Sequence, residues 1–200
     1  MAKRKRKQNN VLLIILFAVV VAGVAGGFYF FTKDKGNTVS APVKKPELKA
    51  EEKPELKEFE VTIYLPDLST NELILVPVTG TVKAEGGILD AAVARLLEIG
   101  TTNPQYAEFI PSGAKLLSPI SVKNGIATLN FNSDFVENFS GGSDAESLLL
   151  NAIAHTVKKN SKESIKGMVI MVEDEPLDSL GHFDLSEPVV ADGTLLKKGN

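Results

Sequence analysis

The sequence predicts an α+β domain of two layers, a mixed or antiparallel sheet of about five strands with two helices on one face, preceded by one transmembrane helix. Three observations carry this. An unbroken apolar run occupies residues 11–31. Two later segments are apolar along one helical stripe only, which needs a sheet to cover it. The extended segments around them give the order ββαββαβ.

The apolar run Val11–Phe31 contains 21 residues, and at ~1.5 Å per residue it spans about 31 Å, the thickness of a hydrocarbon core. Lys3, Arg4, Lys5, Arg6 and Lys7 precede it, whereas Lys33, Asp34 and Lys35 make a mixed far flank. The positive-inside rule then puts the N-terminus in the cytoplasm and the rest outside. Tyr29 and the phenylalanines beside it suit the outer boundary. The competing reading is a signal peptide cleaved near Ala25, after the small residues Gly23 and Val24. The apolar run continues through Phe28-Tyr29-Phe30-Phe31, longer than an ordinary signal core, which favours an uncleaved anchor.

Residues 32–58 are rich in Lys, Glu and Pro, with the repeat Lys45-Pro46-Glu47-Leu48-Lys49 and Lys53-Pro54-Glu55-Leu56-Lys57. Such a stretch lacks the apolar surface to fold and reads as a semi-extended stalk.

The globular elements follow in order. Val61, Ile63 and Leu65 alternate with polar neighbours, the pattern of a half-buried strand. After a turn at 66–71, a second strand runs from Leu73 to about Lys83, and Pro77 within it points to an edge. Gly86-Gly87 opens a helix whose stripe is Leu89, Ala92, Val93, Leu96 and Leu97, with Gly100 at the expected C-terminal cap. Asn124-Gly125 suits a type I′ turn. Its two-residue loop fixes the register: Lys123 faces Ile126, Val122 faces Ala127, Ser121 faces Thr128 and Ile120 faces Leu129. Ser143 and Glu146 have the spacing of a capping box. The helix they start carries Ala145, Leu149, Ala152, Ile153 and Thr156 on one side and ends near Asn160. Met168–Val172 is apolar on both faces, as an interior strand is. The chain thus divides into a basic cytoplasmic end (1–10), an anchor (11–31), a stalk (32–58), a globular domain (59–192) and a C-terminal tail (193–200).

Charge is unevenly placed. Residues 1–33 hold six bases and no acid, while 59–192 hold eight bases and nineteen acids, a balance near −11. A domain this acidic does not recruit nucleic acid, whose phosphates need clustered Lys or Arg. There is no cysteine, which excludes disulfides, thiolate catalysis, Cys-ligated metals and a lipid-modified cysteine.

No assembled chemistry is visible. His155 and His182 have no HExxH spacing. Ser112 and Ser143 lie in no G-x-S-x-G elbow. Gly86-Gly87 and Gly141-Gly142 lack the other positions of a phosphate or dinucleotide loop. Glu173, Asp174, Glu175 and Asp178 form the densest acidic group but not an EF-hand loop, so a solvated loop is the expected state. Asn138-Phe139-Ser140 matches a glycosylation sequon. No catalytic, cofactor-binding or metal-ligating residue is assigned, and no cofactor is expected.

Taken together, Val61–Pro66, Leu75–Val78, Leu96-Leu97 before Gly100, Ile110–Gly113 before Leu116-Leu117, Asn124–Ala127, Ser133–Phe135, Ala152-Ile153 with Thr156-Val157, and Gly181–Leu185 resemble the sporulation and spore germination (GerM) domain family over about 60–190. The resemblance implies a bacterial envelope domain outside the cytoplasm, a fold like the small ring-building domains of secretion-like assemblies, and no catalytic activity. Two departures stand out. One copy is present where some members carry two, and Glu173-Asp174-Glu175 replaces a turn that commonly contains glycine. The expected function is therefore a non-enzymatic, single-pass, membrane-anchored interaction domain of a sporulation- or germination-type assembly. Its expected partners are the membrane and other envelope proteins, with self-association left open. The alternative is a peptidoglycan-facing binder or hydrolase, which needs two carboxylates ~5–9.5 Å apart in a cleft and is poorly served by a chain without Trp.

Overall fold

Strand β1 (Lys57–Pro66) alternates buried Val61, Ile63 and Leu65 with more exposed neighbours, as predicted. It pairs antiparallel with β2 (Leu75–Ala84) along a ten-residue ladder from Lys57↔Ala84 to Pro66↔Leu75. The computed structural model describes residues 56–197. The expected cytoplasmic end, the 11–31 anchor, the stalk up to residue 55 and residues 198–200 lie outside the described residues. No helix among the described residues is long and apolar enough to cross a membrane. β1 begins at Lys57, inside the expected stalk.

Helix α1 (Ile88–Thr102) buries Ala91, Ala92, Val93, Leu96 and Leu97. Asp90 joins its start to the neighbouring chain: Oδ2 accepts the Gly87 N–H at 2.9 Å and Oδ1 the Ile120 N–H at 2.7 Å. Gly100 is not the cap predicted for it. It lies within the helix, where a Cβ would collide with the Ile110 carbonyl and come within 2.6 Å of Ile110 Cγ2. The glycine serves a close approach, not a left-handed turn.

The hairpin of β3 (Ser121–Lys123) and β4 (Ile126–Phe131) has the predicted register at Lys123↔Ile126, Val122↔Ala127 and Ser121↔Thr128. Asn124 at φ 56° and Gly125 at φ 85° form the primed turn. The expected Ile120/Leu129 pair is absent: the next bonded rung would need a donor from Pro119, which has no N–H, while the Ile120 N–H, facing away from β4, is taken by Asp90. Pairing resumes two residues out of step, with the Leu117 N–H on the Asn130 carbonyl at 2.8 Å and Leu116 bridging Phe131. The excess at Ser118-Pro119 is a bulge.

A short helix α2 (Asp134–Glu137), which the sequence reading omitted, follows β4. Its Phe135 stacks on Phe131 with centroids 4.3 Å apart. Helix α3 (Ser143–Asn160) then crosses to β5 (Gly167–Val172), which runs parallel to β4. β5 is interior, as predicted, because β6 (Glu175–Pro176) pairs with its other edge. The β5–β6 turn uses Glu173 at φ 49° and Asp174 at φ 68°, left-handed positions without glycine. Asn130 holds it from β4: its Nδ2 donates to Asp174 Oδ1 at 2.7 Å and its Oδ1 accepts the Asp174 N–H at 3.1 Å.

The expected five-stranded sheet is instead divided. β1–β2 stands as one sheet, β3–β4–β5–β6 as a second, and β7 (Ser179–Leu180) with β8 (Phe183–Asp184) as a third. The reason lies in α3, which takes the place of a neighbour along the second edge of β1. Asn160 Oδ1 accepts the Thr62 N–H at 3.0 Å, its Nδ2 donates to the Thr62 carbonyl at 2.7 Å, and Thr156 Oγ1 accepts the Tyr64 N–H at 3.0 Å. Both α1 and α3 lie against β1. The main apolar core runs from Ile63 and Leu96 to Leu129, Ile153 and Ile170, and Val61, Ala91 and Ala92 form a second, smaller cluster.

α3 is buried on more than its predicted stripe, and its polar residues bind neighbouring chain. Asn151 Oδ1 accepts the Asp192 N–H at 2.8 Å, and His155 Nε2 lies 2.9 Å from the Asp192 carbonyl. No buried side-chain polar atom among the described residues lacks a partner. The capping box does not form. Gly142 is the N-cap without a side-chain bond, and Glu146 is drawn away to the β7–β8 turn, where Oε2 accepts the His182 N–H at 3.1 Å. Gly181 there has φ +57°, and a Cβ on it would overlap Glu146 Oε1. The segment read as a tail docks as far as it is described: Leu196 bridges Leu75 in parallel, and the Lys197 N–H donates to the Leu75 carbonyl at 3.1 Å.

Candidate functional site

A cleft of about 530 Å³ opens where the β1–β2 turn faces the first turn of α3. Its turn wall is Pro66–Leu73 without Ser69, and its helix wall is Gly142-Ser143-Asp144-Ala145 with Leu148. Glu108 and Phe109 close a third side. Gly141 allows that side to approach, since a Cβ on it would clash with Ala145 and come within 2.7 Å of the Glu108 carbonyl.

The turn is held by its own first residue. Asp67 Oδ1 accepts the Ser69 N–H at 3.1 Å and the Ser69 hydroxyl at 2.6 Å, and Oδ2 accepts Lys197 Nζ at 3.0 Å. The Asp67 N–H donates to the Ile74 carbonyl at 2.9 Å. The Ser69 hydroxyl, then Lys197, then the Ser69 N–H hold the Asp67 carboxyl down to about 2. Two further turns use the same device. Asp192 is lowered by the Thr194 N–H and hydroxyl, and Asp184 by the Ser186 N–H and hydroxyl.

The chemical character of the cleft is mixed. Leu68 and Leu73 keep 41% and 39% of their surface exposed beside it, while Asp67, Glu72, Glu108 and Asp144 line it with carboxylates. No basic side chain lines it. The combination is apolar contact surface framed by negative charge. Ser143 lies there at the start of α3 with no histidine among the lining residues. Among the described residues, no group of three or more His, Asp or Glu is placed to hold a metal ion.

The other residues singled out in the sequence do not converge on this cleft. His155 is buried on α3 with its ring 5.3 Å from that of Tyr64. His182 is exposed in the β7–β8 turn, with Nδ1 3.5 Å from Glu146 Oε1. Glu173 and Asp174 are engaged by the protein's own donors, since Glu173 Oε1 accepts the Ser133 N–H at 2.8 Å. The sequon residue Asn138 donates to the Ser112 carbonyl at 2.8 Å and so ties two loops together. The cleft residues were missed because they come from three separate stretches of chain. The one local signal was the pair of leucines, Leu68 and Leu73, within an otherwise polar turn.

The Germane family, described as sporulation and spore germination, matches residues 62–178. No curated protein matches the chain. A candidate lipoprotein from Clostridium perfringens shares 24% identity over 66% of this chain and 87% of that one, with a TM-score of 0.44. The tandem GerMN domains of the sporulation protein GerM from Bacillus subtilis share 20% identity over 77% of this chain, with a TM-score of 0.47. This chain spans about half of that one, 49%. The first of those domains alone shares 15% identity over 66% of this chain and 97% of that one, with a TM-score of 0.45.

Proposed function

The chain belongs to the sporulation and spore germination family, and from that premise we propose that it is a non-enzymatic docking module of an envelope assembly. In this reading residues 11–31 hold it to the membrane by a single pass, with the globular domain outside the cytoplasm. The cleft receives a protein segment that is both apolar and basic.

The carrying observation is the cleft itself. Exposed Leu68 and Leu73 supply apolar contact, and the carboxylates of Glu72, Glu108 and Asp144 around them select against anions and favour Lys or Arg, Asp67 being already paired with Lys197. Glycan hydrolysis needs an acid whose pKa is raised, and Asp67, held low by Ser69 and Lys197, does not supply that acid.

The test places a photo-reactive amino acid at Leu68 or Leu73 in the full chain, in its native membrane, with exposed Val190 as control. The expected result is a specific adduct to a basic protein segment. It is lost when Glu72, Glu108 and Asp144 are changed to Lys, and weakened by salt that screens beyond ~10 Å. Adducts no different from those at Val190, or adducts indifferent to the three reversals, would overturn the reading. So would an export-dependent reporter that stays silent behind Asn200. Retention of the domain on isolated sacculi, lost with the same reversals, would move the assignment to peptidoglycan.

A further inference from the structure

Hydrogen-bond parity along β1 determines which groups of β2 are unpaired. The Thr62 and Tyr64 N–H groups turn away from β2, towards Asn160 and Thr156. In an antiparallel ladder, opposed residues alternate between bonded and non-bonded pairs. The bonded pairs are therefore Val61↔Gly80 and Ile63↔Val78, and the non-bonded ones Thr62↔Thr79 and Tyr64↔Pro77. Odd-numbered residues of β2 turn their N–H and C=O groups outward. Leu75 does so, for its carbonyl accepts the Lys197 N–H. Pro77 sits where its missing N–H costs the β1 ladder nothing. From Pro77 to Lys83 no other described strand pairs with this edge.

Natural sheets protect such an edge with charge, proline or a bulge. Here Pro77 and Lys83 stand at its two ends, and Val78-Thr79-Gly80-Thr81-Val82 between them carries none of these. On the helix-facing side, Val61, Ile63, Val78, Val82 and Ile99 line a groove of about 390 Å³ between β2 and α1. Val78 is 44% exposed in it. A Cβ on Gly80 would touch nothing within 4 Å.

We propose that β2 pairs antiparallel with β2 of a second copy of this chain about a two-fold axis at Gly80, joining the two hairpins into one four-stranded sheet. Outward residues must oppose outward residues, which restricts the register to axes on whole residues. An axis at Thr79 would set Pro77 against Thr81 and lose bonds near the centre. An axis at Thr81 would carry the pairing past the end of the strand. With the axis at Gly80, Thr79 and Thr81 exchange both bonds with Thr81 and Thr79 of the second copy. Each Lys83 N–H reaches the Pro77 carbonyl of the other strand. On the groove side Val78 opposes Val82 of the second copy, extending the apolar surface. The two Lys83 residues lie six positions apart along the pairing, about 20 Å, so like charges do not meet. The inference goes beyond the cleft, which lies elsewhere on the hairpin.

The chain has no cysteine, so one introduced thiol reports alone. The full chain is purified in a mild detergent and oxidised as G80C. The expected result is a covalent dimer, since Cα atoms in a non-bonded pair lie ~4.5 Å apart, within disulfide reach. V78C or V82C alone should cross-link at least about tenfold less, being four positions out of phase at ~13 Å. The double variant V78C/V82C should recover the dimer. In the G80C background, T79K/T81K sets like charges opposite each other and should cut the yield about tenfold, whereas T79K/T81E sets opposite charges together and should keep it. Thr79, Gly80 and Thr81 are exposed, so their substitutions leave the core untouched. G80C no faster than V78C, or yields equal for T79K/T81K and T79K/T81E, would overturn the proposal. Neither result bears on the photo-adducts expected at Leu68 and Leu73.

Discussion

Asn160 bonds both backbone groups of Thr62, accepting its N–H at 3.0 Å and donating to its carbonyl at 2.7 Å across 98 residues of sequence. A side-chain amide presented in this way imitates a rung of a neighbouring strand. It closes the edge of β1 without a strand being there, and so separates the hairpin from the β3–β6 sheet. Its remaining Nδ2 bond, to the Thr156 carbonyl at 2.7 Å, fixes it at the end of α3.

Replacing Asn160 by Ala leaves the Thr62 N–H and C=O without partners in a half-covered position. The expected loss is about 2–3 kcal/mol, read as a lower denaturant midpoint with faster amide exchange at Thr62. Asn160→Asp keeps the acceptor but sets a carboxylate oxygen where Nδ2 met the Thr62 and Thr156 carbonyls, and should cost at least as much as Asn160→Ala. An unchanged midpoint would mean that water replaces the amide without cost.

Gly100 offers a test with opposed signs. Within a helix, Gly→Ala ordinarily stabilises by about 1 kcal/mol. Here the new methyl would meet Ile110 Cγ2 at 2.6 Å and Cβ at 2.8 Å, and overpacking of this kind costs about 1–3 kcal/mol. Because the rigid Ile110 backbone is also in the way, Gly100→Ala is expected to lower Tm. Gly193→Ala meets nothing within 4 Å and should stay within about 0.5 kcal/mol of the parent.

The lowered carboxyl of Asp67 predicts an acid response. A carboxylate held at about 2 when folded contributes stability that is complete above the ordinary aspartate range near 4 and is lost as pH falls towards 2. Thermal melts between about pH 5 and pH 2 should therefore be steeper for the parent than for Asp67→Asn. Asp184 and Asp192 shift in the same direction, so a reduced slope remains in the variant. A variant slope equal to the parent's would show that the Ser69 and Lys197 bonds do not outlast exposure to solvent.

Local signals in the sequence were read well where a local rule decides. The Asn124-Gly125 turn set three cross-strand pairs correctly, because a two-residue primed turn admits one register. The same rule stops at Ile120, because Pro119 has no N–H for the next rung and Leu117 takes the Asn130 carbonyl in its place. Ser143 and Glu146 had the spacing of a capping box, but the distant Gly181-His182 turn offered Glu146 a buried site. Gly100 stood where a cap was expected, and only Ile110, ten residues on, explains the glycine. Glu173 and Asp174 adopt left-handed conformations that nothing in their own composition demands; Asn130 and Ser133 hold them there. The cleft was illegible for the same reason, being assembled from the 66–73 turn, the 108–109 loop and the start of α3.

The described chain enters at Lys57, at the Ala84 end of the hairpin, and its last docked residues lie beside Leu75, at the opposite end. About 30 Å of strand separates the two ends. Tension applied between them acts along the strand, so the rungs of the β1–β2 ladder share the load side by side instead of parting one after another. The clamp from α3 to Thr62 and Tyr64 resists the same sliding. A hairpin loaded in shear withstands traction better than one peeled from its end.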